Sequence, residues 1–224
     1  MFPDIRPWKQ IDSEWMNAVL DAGGFDATVC GVLAQPVGTG QIGDCARFTL
    51  TYERAAPDAP RTLVGKFPAE DEVSRNTGRS LGNYYREVKF YQLLQKKAGI
   101  ATPYCYFADV DEETHDFVLL MEDAAPATQG DQLAGVTLEQ ARLVMQEAAK
   151  MHAAYWNDDW LDEQAWVSDT KGATTQIPPS VFRELWGGFA ERYQGRISQA
   201  AADIGSVFID NIEKYQETRS GNRS

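Results

Sequence analysis

A glycine triplet constrains this chain more than any other feature, because of the element that follows it. Gly38, Gly40 and Gly43 stand at Gly-x-Gly-x-x-Gly spacing. Glycine takes positive φ without steric penalty and lets backbone N–H groups approach an anion such as phosphate. Alone the spacing says little, since a tight hairpin also needs glycines. A dinucleotide-binding fold would require the loop to open a helix. Here Ala46, Phe48, Leu50 and Tyr52 alternate with Arg47, Thr49 and Thr51, the period-two pattern of a half-buried strand. The loop therefore closes a β-hairpin whose first strand is Val29 to Val37.

The flanking elements follow from the same patterns. Ile11, Trp15, Val19 and Leu20 mark a short amphipathic helix capped by Asp12 or Ser13. Thr62 to Phe67 is a third strand. From Asp71 to Lys97 the period becomes helical, with Tyr84, Val88, Tyr91 and Leu94 on one face and Gly99 closing the helix. Pro103 to Asp109 and Phe117 to Met121 are two more strands around an acidic turn. Five strands with one inserted helix make an α+β sheet region. Past Ala124 the strand signals stop. Thr137 and Gln140 form a capping-box pair at the head of a helix whose expected buried face is Leu138, Ala141, Met145, Ala148, His152 and Tyr155. Further helices begin at Pro178-Pro179-Ser180 and run through Ile204, Val207, Phe208, Ile212 and Tyr215. Trp156, Trp160 and Trp166 lie in an irregular stretch and are expected to pack under it.

Two charged residues give the loop a chemical context. Lys66 sits in the apolar strand Leu63-Val64-Gly65-Lys66-Phe67, where burial disfavours lysine. Glu87 lies inside the inserted helix, next to the apolar Val88. Singly, each reads more plainly as a solvated surface charge. In order behind a glycine hairpin, they form the arrangement in which a strand lysine meets phosphates and a helix glutamate holds it in place.

With these parts assembled, the chain resembles the aminoglycoside phosphotransferase and choline-kinase-like superfamily, nearest its ecdysteroid-kinase-like branch. The residues that carry the resemblance are Gly38 to Asp44 with the following strand, Lys66-Phe67-Pro68, Tyr85-Arg86-Glu87-Val88 with Tyr91, Leu120-Met121-Glu122-Asp123, and Met151-His152 with Trp156. The resemblance implies a protein-kinase-like fold, with a five-stranded antiparallel N-lobe over residues 1–123 and the start of a helical C-lobe over 124–224. It implies ATP as phosphoryl donor, gripped by Gly38, Gly40, Gly43, Lys66 and Glu87. The adenine would be held by backbone groups of Met121, Glu122, Asp123 and Ala124. The acceptor would be the hydroxyl of a small molecule.

One family feature is missing. These kinases carry their base in a His-Gly-Asp-x-x-x-x-Asn loop, followed by an aspartate that holds Mg2+. The two histidines do not fit: His115 precedes a strand upstream of the hinge, and His152 is followed by Ala153 inside a helix, where it is expected to be packed. No catalytic residue is therefore assigned, the Mg2+ ligands are expected outside these residues, and the chain is expected to be a fragment without activity of its own. Helices 180–194 and 198–217 would then show apolar faces open to self-association. The alternative is a pseudokinase-like module that binds nucleotide or a partner without catalysis.

Composition narrows the partners. The 224 residues carry a net charge of −12, which argues against nucleic acid, and 43% hydrophobic residues fit a globular chain. No apolar run is long enough to span a membrane and no signal peptide is visible, so a cytoplasmic location is expected. Cys30, Cys45 and Cys105 make neither a metal pattern nor a disulfide framework and are expected to be buried free thiols, as suits a reducing compartment.

Overall fold

The computed structural model describes residues 3–38, 42–131, 133–168 and 178–221. It divides into two compact units, residues 1–161 and 162–224. The first is built on a five-stranded sheet, antiparallel throughout, in the order β1-β2-β3-β5-β4. The strands are β1 (Ala27–Pro36), β2 (Gly43–Ala55), β3 (Thr62–Pro68), β4 (Cys105–Val110) and β5 (Phe117–Glu122). All five expected strands are present, with ends shifted by a few residues.

Alternation sorts the side chains of this sheet onto two faces. One face packs against α1 (Ser13–Ala22), where Trp15, Met16, Val19 and Leu20 meet Ala46, Phe48, Leu63, Phe67, Val118 and Leu120. The Asp12 carboxylate caps α1 by accepting from the Trp15 N–H at 2.8 Å. Asn17 on α1 bonds both the N–H and the C=O of Val29, where the β1–β2 ladder slips register. The other face packs against α3 (Asn83–Lys89): Tyr84 and Val88 meet Val110, Phe117, Leu119 and Met121. Strand β5 is thus buried on both sides, which explains its unbroken apolar run. Each such side chain contributes about 1.5–3 kcal/mol when fully buried.

The segment inserted after β3 is not a single helix. It begins with α2 (Glu72–Ser80), turns at Gly82 with φ of 65°, and continues as α3, a π-helical segment (Phe90–Leu94) and α4 (Gln95–Ala98). The positive φ at Gly82 breaks the helix, an effect that apolar periodicity does not register. Gly78 lies inside α2 for another reason: a Cβ there would stand 2.4 Å from the Tyr84 ring and 2.7 Å from Ile42 Cγ2.

Helix α5 (Leu138–Tyr155) has the expected capping box at Thr137 and Gln140. Its inner face differs from the expected one. Leu138, Met145 and His152 are exposed, and the half-buried side runs through Ala148, Met151 and Tyr155, whose hydroxyl donates to the Leu94 carbonyl at 2.7 Å. His152 is therefore not a packed histidine. Period locates a face, but not which edge of it meets the neighbour. Trp156, at 75% exposure, and Trp160 are also exposed rather than packed under the stretch that contains them. Cys30 is exposed, and Cys45 and Cys105 are half-buried, so full burial of all three thiols is not observed.

The stretch after α5, expected to be irregular, holds two short helices, α6 (Asp159–Glu163) and α7 (Ala165–Ser168). In the second unit, α8 (Pro179–Arg192) and α9 (Gln199–Asp210) meet where Trp186 lies over Gly205, a site with no room for a Cβ. A further helix, α10 (Ile212–Gly221), begins after a break at Asn211. Leu185, Phe189, Ile204 and Val207 are exposed.

Replacing Gly78 with alanine tests the packing around α2. Alanine gains about 1 kcal/mol in helix propensity, while overpacking against a pinned ring costs about 1–3 kcal/mol. The Tyr84 ring is stacked and hydrogen-bonded, so the clash dominates. Gly78→Ala is expected to lower the thermal midpoint by a few degrees, and a raised midpoint would contradict this packing.

Candidate functional site

The α3-facing side of the sheet carries the residues singled out above. Cys45, Lys66 and Leu119 lie in one row across β2, β3 and β5, and Arg47, Val64 and Met121 in the next. Lys66 points to this side because its neighbours Gly65 and Phe67 turn to the α1 side. A Cβ on Gly65 would fall 2.6 Å from the Phe67 ring, so the alternation is enforced by packing.

Helix α3 brings Glu87 over that row. Tyr84 and Val88 anchor the helix, and Glu87 lies beside them. The Lys66 ammonium donates to Glu87 Oε1, with the two side chains 32% and 35% exposed. A pair this open to water is worth about 1 kcal/mol or less to stability. Close to the pair, burial pushes the Cys45 thiol upward, with Lys66 opposing and Glu87 reinforcing the effect, so the thiol stays protonated at neutral pH. Cys105 is pushed to about 11 by burial.

The glycine hairpin is tied to the same helix. The Val37 N–H donates to the Cys45 carbonyl at 2.9 Å, closing the return of the chain. Gly38 has φ of 75°, which favours glycine. Gly43 opens β2, where a Cβ would stand 2.9 Å from the Phe67 carbonyl oxygen. Gly40 lies outside the described residues. The Tyr84 hydroxyl donates to the Ile42 carbonyl, and its ring stacks on Phe117 with centroids 4.7 Å apart. The loop's return, the sheet and α3 thus share one side chain.

At the far end of the row, β5 runs into Met121, Glu122, Asp123 and Ala124. The Glu122 N–H donates to the Tyr104 carbonyl at 2.8 Å and the Ala124 carbonyl accepts from Ala127 at 2.9 Å. Arg47 grips the Asp123 carboxylate with two bonds, from Nε at 2.7 Å and Nη2 at 3.1 Å. Asp123 is only 6% exposed. Burial pushes its carboxyl upward, but the Arg47 guanidinium and the Ala125 N–H outweigh burial and hold it below its ordinary value. This clamp joins the strand after the glycine loop to the end of β5. Arg47 looked like an outward residue of an alternating strand, and nothing in its sequence position distinguished it.

The two histidines stay apart from this row. His115 sits at φ of 57° in the turn before β5, against Tyr85, and His152 is exposed on α5. Among the described residues, no group of three or more His, Cys, Asp and Glu could hold a metal ion, and no helix is long and apolar enough to cross a membrane.

The depressed Asp123 carboxyl gives a pH signature. A carboxyl whose folded pKa lies below the unfolded value of about 3.9 adds stability above that value, and loses it as pH falls through the folded pKa. The stability gap between the parent and Asp123→Asn is therefore expected to be constant from neutral pH to about 5 and to shrink below about 4. A gap that is flat down to acid unfolding in denaturant titrations would contradict the clamp.

Comparison with known proteins gives one match. A family model described as the ecdysteroid kinase-like family covers residues 38–157, from the glycine hairpin to the end of α5 and beyond. No curated protein and no solved structure matches the chain.

Proposed function

This chain belongs to the ecdysteroid kinase-like family, and on that premise we propose that it is the nucleotide-gripping part of an ATP-dependent phosphotransferase acting on a small-molecule hydroxyl. The family is one of kinase-like small-molecule phosphotransferases, and the five-stranded antiparallel sheet with its helices is a kinase-like fold. The observation that carries the finer reading is the Lys66–Glu87 ion pair, with Lys66 opposite Cys45 on the strand that follows the glycine loop.

The proposed division of labour follows from the geometry. Backbone N–H groups of the Gly38–Gly43 loop would meet phosphate oxygens. Lys66 would donate to the phosphates nearer the nucleoside, with Glu87 keeping its ammonium over the row. Val64, Met121 and Leu119 supply an apolar floor between the two cations of this face. Met121, Glu122, Asp123 and Ala124 would offer backbone groups to the adenine. The Glu122 N–H and the Ala124 carbonyl are already used by the protein, which leaves the Asp123 and Ala124 segment's other groups for that contact. We propose the end of β5 at residues 122–124 as the hinge between an N-lobe over 1–123 and a helical part over 124–224.

ATP supplies the transferable phosphoryl group when bound, and Mg2+ would accompany it with protein ligands beyond those described. The sequence contains no His-Gly-Asp-x-x-x-x-Asn motif to supply a base for the acceptor hydroxyl. These 224 residues alone are therefore proposed to hold nucleotide without transferring phosphate. Positioning and charge neutralisation carry most of phosphoryl-transfer catalysis, and only the first is furnished by the row on β2, β3 and β5. The cytoplasm, where ATP is held, is the proposed location, and the exposed apolar residues of α8 and α9 are the proposed route of any self-association.

Titration with ATP, followed by calorimetry, tests this reading. The parent is expected to bind saturably, and Lys66→Ala to bind about tenfold more weakly or worse, as for loss of a charge-assisted hydrogen bond. Its thermal midpoint should barely move, because an exposed pair adds little stability. Saturable binding that is indifferent to Lys66→Ala would overturn the assignment.

A further inference from the structure

A cavity of about 120 Å3 lies apart from the Lys66 row, between the segment that precedes α1, the end of β3, α2 and the start of β5. Trp8, Phe67 and Phe117 are among the residues that line it. An apolar cavity of about 150 Å3 accommodates benzene; this one is somewhat smaller and partly charged, a size on the order of one ring.

Four charged residues also line it: Arg6, Glu70, Arg75 and Asp116. Three are already matched. Arg6 bonds Asp4 at 2.5 Å and lies 3.9 Å from Asp12. Glu70 pairs with Lys9 at 2.5 Å, and Asp116 with Arg79 at 2.7 Å. Among the described residues, Arg75 is the one lining charge with no ion partner. Its Nε donates to the Ala69 carbonyl at 2.8 Å, which fixes the guanidinium plane while its terminal nitrogens keep their donors for another acceptor. A guanidinium held at one edge presents the paired donors that match a carboxylate. The whole chain carries a charge of −12, so a carboxylate bound here would depend on the Arg75 guanidinium.

We propose that this cavity is a binding site for a small ring-bearing carboxylate, with the ring between Trp8, Phe67 and Phe117 and the carboxylate on Arg75. The occupant would touch Phe67, which follows Lys66 in β3, and Phe117, on which Tyr84 stacks. The site thus adjoins the row without sharing its charged groups.

Benzoate and its uncharged isostere benzamide are the probes, titrated into the 15N-labelled full chain and followed by amide chemical shifts. Benzoate is expected to shift the Trp8, Phe67, Ala69 and Phe117 amides saturably, and benzamide to bind about tenfold more weakly or worse. Arg75→Gln should reduce benzoate to the level of benzamide. Trp8→Ala, which removes a wall without touching Arg75, should weaken both ligands. Equal affinity for the two probes in the parent chain would overturn the proposal, even if Arg75→Gln failed to fold. So would shifts that never saturate, or a folded Arg75→Gln chain that binds benzoate as the parent does.

Discussion

The Tyr84 side chain joins the parts on which the rest of this structure depends. Its ring stacks on Phe117 at the start of β5, its hydroxyl holds the Ile42 carbonyl at the return of the glycine hairpin, and its backbone lies one helical turn before Glu87. One phenol thereby sets where α3 lies on the sheet and where the loop re-enters β2. Gly78 and Gly43 are consequences of that contact: the first clears space for the ring, and the second lets β2 run against the Phe67 carbonyl. Burial pushes the Tyr84 hydroxyl upward, so it stays a neutral donor under physiological conditions.

Once α3 is fixed, the charges on the row acquire a shared logic. Lys66 and Arg47 project from adjacent strands onto the same face, and each is met by a carboxylate from another element, Glu87 from α3 and Asp123 from the end of β5. Apolar burial on both sides of β5 supplies far more stability than either pair. The water-exposed Lys66–Glu87 pair contributes at most about 1 kcal/mol, against about 1.5–3 kcal/mol for each buried side chain. The pairs serve to hold orientation: one fixes an ammonium over the floor of the row, and the other ties the loop-bearing strand to the end of β5. That is the economy expected of a site whose work is to position an anion rather than to stabilise a fold.

Much of this was legible in the sequence, for identifiable reasons. Ala46, Phe48, Leu50 and Tyr52 gave β2 by alternation, Thr137 and Gln140 gave the head of α5, and Lys66 with Glu87 gave the ion pair because they follow the glycine hairpin in order, one in a strand and one in a helix. Other features left no such signal. Gly82 looks like any helix glycine, yet its positive φ divides the inserted segment in two. The contact edge of α5 shifted to Met151 and Tyr155 because periodicity defines a stripe, not its neighbour. Arg47, Asn17 and Tyr84 work through contacts with residues distant in the chain, which local patterns do not encode.

A double-mutant cycle on nucleotide affinity tests the central claim, that Glu87 acts by holding Lys66 for phosphate. ATP dissociation constants would be measured for the parent, Lys66→Met, Glu87→Gln and the double variant. The account predicts strong non-additivity: Glu87→Gln weakens binding in the parent but has almost no effect once Lys66 is gone, a coupling of about 0.5–3 kcal/mol. Additive losses, or an unchanged affinity in Glu87→Gln, would show that Glu87 does not act through Lys66 and would contradict the claim.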